Sequence, residues 1–162
     1  MANIRKAQPA DAEGIANIYN KYVLHSTASF ETTPVSTEDM RRRIEGIAAR
    51  HPCYVCEEDG EILGYCYAHP WKERAAYLHT WETTVYIARP HCGKGIGRHL
   101  METLIDACRN EGCHALIACI TGGNTASIAL HQRLGFRQVS LFKEVGCKHG
   151  QWLDVVDYEL LL

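Results

Sequence analysis

The chain has 162 residues, 46% of them hydrophobic and 22% charged, with a formal net charge of −2. That is enough for one domain with its own core. It lacks the basic excess that draws a protein to nucleic acid or an anionic membrane, and no uncharged apolar run is long enough to span a bilayer.

The opening residues, MANIRKAQPADAEG, have no apolar signal-peptide core, so a cytoplasmic location is expected. NIRKA (3–7) reads as a first strand. Pro9 then opens a helix whose apolar positions, Ala12, Ile15, Ile18, Tyr19, Tyr22 and Val23, follow the 3.6-residue period. SFETTPVS (29–36) is a loop. Ser36 with Asp39 forms a capping pattern for a second helix carrying Met40, Ile44, Ile47 and Ala48. CYVCEEDGEILGYCYAH (53–69) predicts two strands joined at Glu58–Asp59–Gly60. AYLHTWETTVYIA (76–88), β-branched and aromatic, predicts one long strand. A glycine-rich turn leads into a helix reaching about Asn110, with Ile96, Leu100, Leu104, Ala107 and Cys108 on one stripe. ALIACI (115–120) has the unbroken apolar character of a central strand. NTASIALHQRLGF (124–136) predicts a helix capped by Asn124 and ended by Gly135. RQVSLFKEV (137–145) and QWLDVVDYELLL (151–162) close the chain as strands. Residues 1–162 thus predict one α/β (α+β) domain: a mixed sheet of about seven strands with helices on its faces.

Eight cysteines in a chain expected to stay in the cytoplasm read as free thiols. Cys53 and Cys56 form a CxxC without a second pair, and no HExxH occurs, so no metal site is predicted. The acyl-cysteine route is disfavoured because no cysteine has an evident base beside it in sequence.

The stretch HCGKGIGRHL (91–100) places Gly93, Gly95 and Gly97 between a strand and a helix. A helix N-terminus has unpaired N–H groups and a partial positive charge. Glycine lets such a backbone approach a phosphate closely. Gly93, Lys94, Gly95, Ile96, Gly97 and Arg98 are therefore candidates to cradle one, the alternative being a purely structural turn. A dinucleotide fingerprint fails because position 98 is arginine, and a P-loop fails because Gly95 follows Lys94.

This strand–glycine loop–helix arrangement, followed by an Asn-capped helix ending in LGF, resembles the GNAT superfamily of N-acetyltransferases. SFETTPVS, YAHPWKERAAY, ETTVYI and the spaced Gly146, Lys148, Gly150, Trp152 and Asp154 are similar to its phosphinothricin and methionine sulfoximine acetyltransferases. The resemblance covers nearly the whole chain. It departs at Cys92, where the family's loop begins with Gln or Arg. It implies a mostly antiparallel sheet with helices on both faces and a cleft between splayed fourth and fifth strands, with acetyl-CoA as co-substrate. Its pyrophosphate would lie on the loop amides, and its pantetheine along Val85, Tyr86 and Ile87 with a bond from Asn124. It also implies an acetyl acceptor that is a small amino acid analogue, a homodimer, and a place in herbicide or antibiotic resistance.

Acetyl transfer to an amine needs a proton acceptor, an oxyanion donor and an acid for the leaving thiolate. Glu82, a carboxylate in an otherwise uncharged strand, is the candidate base, and the resemblance implies the same position. His131 stands where related enzymes often carry a tyrosine acid, and the two roles are exchangeable between Glu82 and His131 at this stage. Lys72 and Arg74 are candidates for the substrate carboxylate, with Phe30, Glu31, Thr83 and Thr84 bordering the pocket and Lys148, His149 and Trp152 near it. Other acceptors (a polyamine, an aminoglycoside, a protein N-terminus) and a CoA-binding sensor without turnover remain alternatives.

Overall fold

β1 (Asn3–Lys6), β2 (Cys53–Glu58), β3 (Glu61–Pro70), β4 (Thr80–Ile87), β5 (Ala115–Thr121), β6 (Arg137–Lys148) and β7 (Gln151–Leu161) form one sheet in the order β1-β2-β3-β4-β5-β7-β6. The structure, a computed structural model, describes residues 1–162. Every neighbouring pair is antiparallel except β4 with β5. The helices are α1 (Ala12–His25), α2 (Thr37–Ala48), α3 (Ile96–Asn110) and α4 (Thr125–Arg133). None is long and apolar enough to cross a membrane.

Strand alternation divides the apolar residues between two cores. Cys66, Ala68 and Trp81 join Leu100, Met101 and Leu104 of α3 on one face, and Val55 and Tyr65 join Ile15 of α1 and Ile44 of α2 on the other. Cys53 and Cys56 fall in different cores, so the CxxC spacing does not converge on one site. The helices take their predicted caps. The Asp39 amide donates to Ser36 Oγ at 3.1 Å, and the Ser127 amide to Asn124 Oδ1 at 3.2 Å.

Three boundaries differ from the sequence reading. Pro9–Asp11 forms a short 3-10 turn before α1, because the Asp11 carboxylate is held by Arg5 and the Gln8 amide. β4 begins at Thr80, not residue 76: Ala75–Tyr77 is another 3-10 turn, closed by Tyr77 N–H to Arg74 O and pinned edge-on against Trp71. β6 runs on to Lys148 through a bulge at Phe142–Gly146, where Glu144 has φ 55° and its amide donates to Asp154.

Candidate active site

β4 and β5 pair through only three register positions, Thr80↔Ala115, Trp81↔Leu116 and Glu82↔Ile117. Beyond them β4 continues along β3, and β5 along β7, so the two strands part. Backbone bonds from Ala88 N–H to Leu63 O and from Trp71 N–H to Thr80 O show that even-numbered β4 residues face β3. Antiparallel alternation then turns the N–H and C=O groups of Thr83, Val85 and Ile87 toward the gap. A cleft of about 1280 Å³ occupies it, lined by residues 82–87 and 118–124, the glycine loop and α4.

At one end the loop presents a row of unpaired donors. The amides of residues 93 to 98 have no acceptor within the protein; the first helical bond is His99 N–H to Gly95 O, at 3.1 Å. α3 has no side-chain cap. Gly93 and Gly95 have φ of 78° and 84°, the left-handed region, and a Cβ at either would meet nothing within 4 Å. Six bare amides at a helix N-terminus form a concave anion site. Arg89, Arg98 and Arg133 also line the cleft. The spacing of the sequence had not singled out Arg89 or Arg133; Arg89 lies over the Tyr22 ring at 5.4 Å.

Where the strands part, Glu82 lies opposite His69 across the β3–β4 ladder, with Oε2 3.2 Å from His69 Nε2. His69 Nδ1 is 3.0 Å from Pro70 O. The bond to Glu82 raises the His69 pKa against the opposing effect of burial. On α4, His131 is 3% exposed, and its Nδ1 donates to Ser127 O at 2.7 Å. That bond fixes the hydrogen on Nδ1 and leaves Nε2 without a partner in the chain. Burial lowers the His131 pKa, so the neutral ring offers a lone pair rather than a proton. Thr83 Oγ1 is buried with no hydrogen-bond partner and belongs to the same lining.

The cleft gathers most of the residues singled out from sequence: 82 through 87, Gly93, Gly95, Gly97, Arg98, Asn124 and His131 all line it. Lys94 and Ile96 do not; the Lys94 side chain is exposed and Ile96 packs against the α3 core. Lys72 and Arg74 lie outside the lining as well. The Lys72 ammonium sits over the Trp71 ring at 4.3 Å and near that of Tyr77 at 5.4 Å. Phe30 is 42% exposed and packs on Gly146. Glu31 is bound by both guanidinium nitrogens of Arg43, at 2.7 and 2.9 Å, and by the Tyr19 hydroxyl. Lys148 is buried and donates to Ser29 O at 2.6 Å, tying β6 to the loop between α1 and α2. Trp152 is exposed.

The family description "Acetyltransferase (GNAT) domain" matches residues 4–156. The chain is 42% identical over 155 residues to a phosphinothricin N-acetyltransferase of Alcaligenes faecalis, covering 94% of this chain and 79% of that one. It is 39% identical over 163 residues to an L-methionine sulfoximine/L-methionine sulfone acetyltransferase of Salmonella typhimurium, covering 98% and 94%. An acetyltransferase of Salmonella typhimurium, solved with acetyl-CoA, superposes with a TM-score of 0.98 at 37% identity, over 100% of this chain and 94% of the other. The bare amides and the open strand edge fit such a co-substrate, a diphosphate joined to an amide-bearing arm. The chain belongs to the GNAT family and is an N-acetyltransferase that uses acetyl-CoA.

Proposed function

We propose that the protein acetylates the α-amine of a small amino acid analogue of the phosphinothricin or methionine sulfoximine kind, by direct attack of the amine on the thioester. The observation that carries this reading is the position of Glu82. It stands at the last paired position of β4 and β5, where the wedge opens, with one carboxylate oxygen left free of any partner in the chain. The names and coverage of the relatives support the acceptor class.

The diphosphate lies on amides 93–98, with Asn124 Nδ2 free to bond the arm while its Oδ1 caps α4. The Val85 N–H, unpaired toward the gap, stabilises the developing oxyanion. Two protons must leave the nitrogen. Glu82 takes the first from the ammonium, and His131 Nε2 takes the second and returns it to the CoA thiolate. Thr84, on the same strand face as Glu82, borders the acceptor.

Thiol release across an amine panel tests the reading. Phosphinothricin and methionine sulfone turn over and spermidine does not. Glu82→Gln loses about 10²–10⁴-fold in kcat while its acetyl-CoA affinity stays within about twofold. Comparable turnover of spermidine, or a Glu82→Gln enzyme at full rate, overturns it.

We infer further that the protein is a homodimer joined through β6. This strand has no neighbour on its outer edge and exposes Val139, Leu141, Phe142 and Val145, an apolar edge that soluble proteins otherwise cover. Light scattering gives twice the chain mass for the native protein and the single mass for Leu141→Glu; a native monomer refutes the inference.

A further inference from the structure

We propose that His69 is a positioning residue for acetyl transfer: it holds the proton that Glu82 removes from the substrate ammonium, so that the pair, rather than the carboxylate alone, is the base. This rests on the reading of Glu82 given above.

The geometry fixes the proton count. Pro70 O, 3.0 Å from Nδ1, and the Glu82 carboxylate, 3.2 Å from Nε2, can only accept while Glu82 is ionised. One hydrogen therefore stays on Nδ1, and a single exchangeable proton occupies the line between Nε2 and Oε2. In the proton-poor state, the ring presents a lone pair to a carboxylate. The substrate ammonium then gives a proton to the Glu82 carboxylate; the carboxyl group turns and passes it to Nε2. One N–H bond of the amine breaks, one Nε2–H bond forms, and the pair ends as carboxylate and imidazolium. The proton leaves to solvent after product departs.

A lone carboxyl group with a pKa near 4.3 is a weak acceptor at neutral pH, whereas an imidazole near 6.5 is well matched to it. The partnership with Glu82 moves His69 further in the useful direction.

The other titratable groups around the pair are few. Tyr67, on the same strand, has its ring 5.8 Å from that of His69 and feels the charge of Arg43 from α2. His51, before β2, is pushed down by burial and by the His69 charge. From β5, Cys119 senses Glu82 while donating to Asp157 of β7 at 2.8 Å.

The test is the pH profile of kcat/KM for the amine in the native enzyme, His69→Gln, His69→Asn and Glu82→Gln, with acetyl-CoA affinity and melting temperature measured for each. The native acid limb falls above the usual imidazole value. Both His69 variants lower kcat/KM at pH 7 by about tenfold or more, and the limb moves down by about two pH units or more, two being the gap between an ordinary imidazole and a carboxyl group. Their acetyl-CoA affinity is unchanged. A uniform drop with the limb in place marks a merely structural role and overturns the proposal, as does a native profile in both variants. In either case a Glu82→Gln enzyme that is still dead leaves Glu82 as a solitary base. A Glu82→Gln enzyme with native rate and profile removes the underlying reading itself. Independently of activity, the NMR titration of His69 falls to lower pH in Glu82→Gln; an unmoved midpoint refutes the pairing.

Discussion

Placing a carboxylate in the glycine loop at Gly95→Asp tests the anion site directly. Gly95 has φ 84° and ψ −4°, and a Cβ there meets no atom within 4 Å. The substitution therefore has room and carries only the left-handed backbone penalty, about 1–2 kcal/mol in stability. Its charge stands among amides that otherwise face a diphosphate. At an effective dielectric constant of about 20 and a separation of about 6 Å, one pair of like charges repels by about 3 kcal/mol, or about 100-fold in affinity. Gly95→Asn is the control. It has the same shape, tolerates the left-handed region better than most residues, and lacks the charge. Titration calorimetry with acetyl-CoA should show Gly95→Asp binding about 100-fold more weakly than Gly95→Asn, a gap that narrows as salt rises. Equal affinities in the two variants would mean that the diphosphate lies elsewhere.

Asn124→Ser keeps an oxygen cap on α4 but loses the side-chain amide. It should melt within about 0.5 kcal/mol of the native protein yet bind acetyl-CoA more weakly, whereas Asn124→Ala loses about 1 kcal/mol as well; denaturant melts beside binding isotherms separate the two effects. Thr83→Val removes a buried hydroxyl that has no partner and should stabilise the free enzyme by about 1 kcal/mol, read from chemical denaturation. Burial depresses the His131 pKa in the fold, so the unfolded chain takes up the proton first as the solution is acidified. Stability attributable to this residue is intact above about pH 6.5 and is lost below it. His131→Gln should therefore lose stability less steeply than the native protein between pH 7 and pH 5 in thermal melts.

Features that depend on neighbouring residues were legible in the sequence. The glycine loop was readable because a left-handed turn at a helix mouth demands glycine locally, and the Ser36 and Asn124 caps because an N-cap is satisfied within three residues. The seven-stranded mixed sheet followed from the order of the predicted elements and the parting of the fourth and fifth strands from the family resemblance, and the structure has both. What escaped depends on register. His69 meets Glu82 only because β3 and β4 align as 64↔87 through 69↔82, and the long connection over 71–79 sets no register that turn chemistry would reveal. A polar residue at the end of an apolar strand, on the parity that faces Glu82, was the available signal. Lys72 and Arg74 were nominated as cations suited to a carboxylate, on the segment just before β4. In the structure the Lys72 ammonium lies over the Trp71 ring, which meets the Tyr77 ring edge-on.

A half-zipped sheet has a consequence for proteolysis. The edge of β4 beyond residue 82 leaves peptide groups waiting for an occupant, and any molecule that docks against them also holds the folded form by mass action. At a concentration of 100 times its dissociation constant it adds about 2.7 kcal/mol. Resistance of the purified enzyme to proteases that attack its unfolded form should therefore rise with the concentration of acetyl thioester.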